Sequence, residues 1–210
     1  MQKLAGILFS IGALVAIFGE SRPVIFNVFG TIDNPQLQVE TIQNDPTGWA
    51  VAHLLMGAGS LIAAIGVVVF ARQVQRLSNN RNVRIAGYVV AAMAVVGALF
   101  WAIAIYNRVS KTPQEVIANM DAPLWTTAGY YLFTEIALIL VGFLLLQTGY
   151  PKWLGWLVLV LGGLILVAGL VSGGLPPGVH AILYLILGIA LLLMRSRSAQ
   201  VRAGTTNVMA

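Results

Sequence analysis

The sequence predicts an all-α, polytopic membrane bundle of six transmembrane helices with both termini on the cytoplasmic side. Three observations carry that prediction. Hydrophobic residues make up 59% of the 210 and charged residues 9%, where a soluble domain carries about 25% charged residues. The apolar residues fall in blocks close to the roughly 20 needed to cross a bilayer core of about 30 Å. Lysine and arginine gather between alternate blocks, the pattern that fixes the orientation of short-looped membrane proteins.

Length and composition bound the rest. The 210 residues make one transmembrane domain, and the formal charge of +5 sits at helix ends, where anionic headgroups attract it. That placement argues for a lipid bilayer as partner and against nucleic acid. Cysteine is absent, which excludes disulfides, thiolate metal sites and thiol catalysis.

The first helix is expected over 4–22. Its apolar run follows a single Lys3 and resembles the core of a secretory signal, but no small-x-small cleavage pattern follows. Glu20, Ser21, Arg22 and Pro23 instead lead into a second apolar stretch over 24–30, expected to rest in the interface. Residues 31–48 read as an outer loop, with Pro35 and Pro46 as breakers and Asp33, Glu40 and Asp45 as acids. The second helix covers 49–71 and ends in Arg72, Arg76, Arg81 and Arg84; the third covers 85–106.

A second outer loop is expected over 107–124. Inside it, Thr112-Pro113-Gln114-Glu115 has the spacing of a capping box with proline at the first helical position. A short helix through Met120 follows, with Val116, Ile117 and Met120 on one face, lying on the membrane or lidding the bundle. The fourth helix covers 125–147, the fifth 153–171 and the sixth 179–194, before a basic cytoplasmic tail over 195–210. The connections 148–152 and 172–178 are short enough to dictate antiparallel hairpins.

With six spans and the N-terminus inside, Lys3, Arg72, Arg76, Arg81, Arg84, Lys152, Arg195, Arg197 and Arg202 are cytoplasmic and only Arg22, Arg108 and Lys111 lie outside. That bias suits a multi-pass protein of the plasma (inner) membrane. Trp49, Trp125 and Trp153 stand at helix starts, where indole rings favour the headgroup level. Small residues at four-residue spacing, Gly6/Ser10, Gly12/Ala16, Gly59/Ala63 and Ala94/Ala98/Ala102, predict close helix packing. They read as intramolecular contacts, with a homo-oligomer or other membrane partners as the alternative. An offset of 76 places Trp49 on Trp125, Gly59 on Glu135 and Gly66 on Gly142, a weak sign of repetition between the second and fourth helices.

The string GFLLLQTGYPKWLGWLVLVLGGLILV, from Gly142 to Val167, resembles the fourth-to-fifth helix hairpin of an uncharacterised family of six-helix bacterial integral membrane proteins. The resemblance implies the six-helix fold and carries over no activity, cofactor or site residue.

Ionisable residues inside a membrane are costly, so each marks a candidate site. Glu135 lies ten residues beyond Trp125, about 15 Å along the helix and near the midplane. No lysine or arginine falls within a predicted span to pair with it, so a neutral acid donating a hydrogen bond is the expected state. Thr127, Tyr131 and Glu135 repeat every four residues and form one polar stripe, which must face protein or water. His53 and His180 lie near the starts of the second and sixth helices, at similar shallow depth, with Glu135 roughly 9 Å deeper. His53 shares a stripe with Trp49, Gly57 and Ser60, and His180 with Tyr184 and Gly188. The expectation is that His53, Tyr131, His180 and Tyr184 converge on an outer-half ligand cavity floored by Glu135.

Three functions follow. The first is a membrane subunit or small-ligand binding bundle with a polar cavity toward the outer leaflet. The second is a bis-histidine b-type haem electron-transfer protein, with His53 and His180 as axial metal ligands. The third is a small proton-coupled transporter using Glu135. No phosphate loop, HExxH, nucleophile elbow or dinucleotide fingerprint is present, so the sequence does not call for an enzyme.

Overall fold

The prolines that interrupt the sequence open helices rather than break the chain. In the structure, a computed structural model that describes residues 1–31, 33–119, 125–172 and 178–194, the described residues form nine helices and no strand. These are α1 (Gln2–Glu20), α2 (Pro23–Gly30), α3 (Pro35–Asn44), α4 (Pro46–Leu77), α5 (Arg81–Ser110), α6 (Pro113–Ala118), α7 (Trp125–Gln147), α8 (Lys152–Ser172) and α9 (Gly178–Leu193).

The expected loop over 31–48 is overturned. Asn34 and Asp45 each accept a backbone N–H from the first turn that follows, and Pro35 and Pro46 sit at first helical positions. A proline there loses no intrahelical hydrogen bond and pre-sets the helical φ. The second expected loop is also partly helical: α5 runs on to Ser110, and α6 carries the capping box predicted at Thr112 and Glu115. Met120, the connection over 173–177 and the basic tail 195–210 lie outside the described residues.

Five helices, α1, α4, α5, α7 and α8, are long and apolar enough to cross a membrane, and α9 is a shorter apolar helix of 16 residues. The chain therefore has the makeup of a multi-pass membrane protein. Its outward faces agree: Leu4, Ile7, Ile11, Leu14 and Phe18 form an exposed stripe along α1. Polar groups such as Glu135 and His180 are buried instead, the reverse of a water-soluble bundle.

The six longer helices stand side by side in chain order: α1 along α4, α4 along α5, α5 along α7 and α7 along α8. Packing of α9 against α1, and more lightly against α8, closes the ring. Close backbone approach holds the α1 side together. A Cβ on Gly12 would fall 2.6 Å from the Gly59 carbonyl, and one on Gly6 would fall 2.9 Å from the Gly188 carbonyl. The Gly6/Ser10, Gly12/Ala16 and Gly59/Ala63 pairs thus serve contacts within the chain, as small residues do where lipid supplies no hydrophobic drive. Gln2 ties the first helix to the last, its amide donating to the Leu191 carbonyl at 3.0 Å.

One end of the ring carries a lid of α2, α3 and α6. Val28, Ile42, Val116 and Ile117 are buried there in one cluster with Trp49 and Trp101, and the Gln38 amide donates to the Val28 carbonyl at 2.9 Å. The stretch expected to rest in the interface is α2, which buries Val24, Ile25 and Val28 while Phe26 and Phe29 stay exposed.

Candidate functional site

Four helices bring polar side chains to one place inside the ring. α7 contributes Tyr130, Tyr131 and Glu135, α9 contributes His180 and Tyr184, α4 contributes Ser60, and α1 contributes Glu20 at its lid end. The centre is a hydrogen bond between His180 Nδ1 and Glu135 Oε1, with each side chain 1% exposed. Two further buried atoms of the pair, Glu135 Oε2 and His180 Nε2, have no hydrogen-bond partner among the described residues. A buried polar atom without a partner is costly, so the pair has bonding capacity that the packing does not use.

Aromatic rings fix the imidazole. Tyr131 lies 5.0 Å from it between centroids, and Tyr130 meets it edge-on at 5.6 Å. Tyr130 is itself held on two sides, stacked on Trp101 at 4.4 Å and with its hydroxyl 3.3 Å from the Ser60 hydroxyl. Trp101 in turn aims its indole N–H at the Met56 carbonyl, 3.5 Å away. Tyr184 stacks on Phe9 of α1 at 5.6 Å. Ser60, Tyr130, His180 and Tyr184 line a cavity of about 10 Å³, at the lower limit for a single water molecule.

Glu20 completes the lid side of the site. Its half-buried carboxylate accepts the backbone N–H of Gly178 at the start of α9 and acts electrostatically on His180. A side chain at position 178 would overlap that carboxylate, so glycine is what lets the acid reach the helix end. An anion at a helix N-terminus is favourable because the first backbone N–H groups and the helix dipole both point at it.

Of the residues expected to converge, His180, Glu135, Tyr131 and Tyr184 do so and His53 does not. Ser60, on the cavity, and His53 are both on α4, and His53 lies seven residues, or about 10 Å, closer to the lid. His53 is buried against Trp49, with ring centroids 4.0 Å apart, and its Nδ1 is 2.9 Å from the Trp49 carbonyl. Because a carbonyl only accepts, Nδ1 carries the proton in that bond. Arg108 stands near, its guanidinium 5.5 Å from the centre of the Trp101 ring and its carbonyl accepting the Trp49 indole N–H at 3.0 Å.

The depth comparison made from sequence is thereby corrected: His180 is level with the Glu135 carboxyl rather than roughly 9 Å above it. The physical reason is the seating of α9 on α1, with Gly178 against Glu20 and Gly188 against Gly6, which brings the His180 ring to the Glu135 carboxyl. Two further expectations change. Glu135, expected to stand as an acid with no basic residue in a span to pair with it, is hydrogen-bonded to a histidine inside the bundle. Arg108 belongs to a helix, since α5 runs past the predicted end at 106.

Haem does not fit between His53 and His180. Sites for ligands of that size occupy about 300–1,000 Å³, whereas the cavity at His180 is about 10 Å³ and the Tyr130–Trp101 stack is packed beside it. No group of three or more potential metal ligands occurs among the described residues.

Sequence reasoning missed Tyr130, Ser60 and Glu20 as members of the site. Tyr130 neighbours Tyr131, and adjacent helical residues point about 100° apart, so a stripe reading admits only one of them. Ser60 was visible on the His53 stripe, and Glu20 as the acid that ends the first apolar run. Nothing local shows that either reaches the fourth or sixth span.

No protein-family model matches the chain, and comparison with curated proteins and with solved structures gives no match. Function is therefore read from the geometry of the site.

Proposed function

We propose that the chain is a small proton-translocating membrane transporter of six spans, its lid on the outer side of the plasma membrane and its arginine-rich turns in the cytoplasm. The observation that carries this reading is the hydrogen-bonded His180–Glu135 pair, buried within apolar helices. A histidine and a carboxylic acid in direct contact can hold one proton in two places, as neutral imidazole with neutral acid or as imidazolium with carboxylate. Separated charges inside a membrane cost several kcal/mol each, while a bonded pair offsets much of that cost in either form. Such a pair can move its proton from one group to the other with no change of net charge, and when it gains or loses a proton the single charge that results is shared across the hydrogen bond rather than left on a lone group.

The dimensions of the site favour protons over organic ligands, since about 10 Å³ admits at most one water beside the imidazole. The orientation rests on the described basic residues, of which Lys3, Arg72, Arg76, Arg81, Arg84 and Lys152 lie at the end away from the lid and Arg22, Arg108 and Lys111 at the lid end. The test is proton flux into vesicles that contain the purified protein and a trapped pH indicator, under an imposed pH gradient. Flux above that of empty vesicles is expected, and Glu135→Gln or His180→Gln should abolish it while leaving the protein folded. Flux in the wild type equal to that of empty vesicles would refute the proposal.

The subunit or ligand-binding reading retains one observation of its own. A groove of about 560 Å³ lies between α3 and α6, lined by Gln36, Val39, Glu40, Gln43, Gln114 and Ile117 among others. Its amides, its one carboxylate and its apolar floor suit a polar ligand without negative charge or a partner segment at the outer face. Saturable binding lost on Gln43→Ala and Gln114→Ala would support it.

A further inference from the structure

Between the buried pair and the lid end of the bundle stands one further protonatable side chain, that of Glu20. Glu20 ends α1, half in contact with solvent and half packed against α9. Its carboxylate lies against Gly178, where any side chain would overlap it, two residues before His180 on the same helix turn. The imidazole is fully buried, and its Nε2 has no hydrogen-bond partner among the described residues. Nδ1 is already engaged by Glu135, so any proton reaching the pair from the lid side arrives at Nε2.

From these contacts we infer that Glu20 is the outer proton-exchange group for the His180–Glu135 pair, taking protons from water at the lid end and delivering them to His180. The inference rests on the proton-carrying reading of the pair. The step balances simply. When the pair has released a proton and stands as neutral imidazole protonated at Nδ1 beside the Glu135 carboxylate, protonated Glu20 gives its proton to His180 Nε2, the Nδ1 proton passes to Glu135, and the pair is left neutral while Glu20 stays ionised until water reprotonates it.

The groups that set the charge of this route are few. Glu20 is acted on by His180 from α9 and itself acts on Tyr130 from α7, and Arg22 follows it two residues along the chain. His180 faces Glu135, Tyr130 and Tyr131 from α7 and Glu20 from α1. A purely structural role for Glu20, as an acceptor capping α9, predicts that an uncharged acceptor of the same shape would serve equally well. The proton-exchange role predicts that it would not.

The experiment measures proton uptake after a pH jump in protein-containing vesicles, for wild type, Glu20→Gln, Glu20→Asp and Glu135→Gln, alongside thermal unfolding of each. Glutamine keeps the acceptor for the Gly178 N–H, so Glu20→Gln should melt with the wild type yet take up protons about tenfold more slowly or worse. Glu20→Asp should restore most of the rate, and added imidazole buffer should rescue Glu20→Gln by carrying protons in its place. Uptake by Glu20→Gln at the wild-type rate, with Glu135→Gln inactive, would reduce Glu20 to a helix cap and overturn the inference alone. Unchanged uptake in Glu135→Gln would overturn the proton reading of the pair and the inference with it.

Discussion

Replacing Gly59 by alanine adds one methyl group at the tightest helix crossing of the bundle. The new Cβ would stand 2.5 Å from the Ala16 nitrogen and from the Gly12 carbonyl oxygen. Both are backbone atoms of a rigid helix, so no side chain can swing aside, and α1 must retreat from α4 by about 1 Å to reach ordinary contact. A radial gap of about 0.5–1 Å forfeits a quarter to a half of the dispersion energy of the atom pairs it separates. Overpacking of this kind costs about 1–3 kcal/mol, and the better helix propensity of alanine offsets up to about 1 kcal/mol of it. With the full propensity gain set against it, the expected net loss is about 0–2 kcal/mol, toward the upper end because both clashing atoms are backbone.

Gly163→Ala supplies the control. It makes the same chemical change within a helix, but nothing lies within 4 Å of its added Cβ. There the propensity gain stands alone, and stability should rise by up to about 1 kcal/mol. Thermal unfolding in one detergent, followed by tryptophan fluorescence, should place Gly59→Ala below and Gly163→Ala at or above the wild type. If the two variants shift equally, the α1–α4 crossing is not the close contact described, and the position of Ser60 beside Tyr130 loses its support.

The remaining predictions test other links. Single cysteines introduced into this cysteine-free chain at Glu40 and Glu115 should react with an impermeant reagent from outside intact cells; reaction only after permeabilisation would invert the proposed orientation. The Thr112 backbone N–H and hydroxyl, donating to the Glu115 carboxylate, hold that carboxyl below the ordinary carboxylate range. Its contribution to α6 is therefore complete above that range and lost as pH falls through the lowered value. Amide exchange over 113–118, corrected for its intrinsic pH dependence, should show protection persisting at neutral pH and fading only in acid, and Thr112→Ala should remove the persistence. Trp49→Phe keeps the ring packed near His53 but deletes the indole bond to the Arg108 carbonyl, and should cost about 1 kcal/mol. A melt identical to wild type would show that this bond contributes nothing.

Much of the architecture could be read from the chain because it depends on sums over neighbours in sequence. Apolar block length places the crossing helices, and the start of α7 and the ends of α7 and α8 fall within about a residue of expectation. The capping box at Thr112 and Glu115 is equally local: four consecutive residues contain both partners. Pro35 and Pro46 show where the same local reasoning needs more context. A proline is compatible with a break or a helix start, and the deciding feature is the side chain before it, Asn34 or Asp45, accepting the first-turn N–H.

The site divides along the same line. The sequence by itself determined that Glu135 is a buried acid on a polar stripe with Tyr131, since a 23-residue apolar helix has no other place for it. It could not pair that acid with His180 or separate it from His53. Equal counts from helix starts give equal depth only if the helices begin at one level, and α9 begins deeper. Its starting level is set by contacts between helices distant in sequence: Gly6 against Gly188, Gln2 on the Leu191 carbonyl, and Glu20 on the Gly178 N–H. Hydrophobic transfer is additive along the chain and indifferent to neighbours, so it can be read one helix at a time. The axial offset of one helix against another depends on which side chains interlock across the interface, and only the folded bundle decides that.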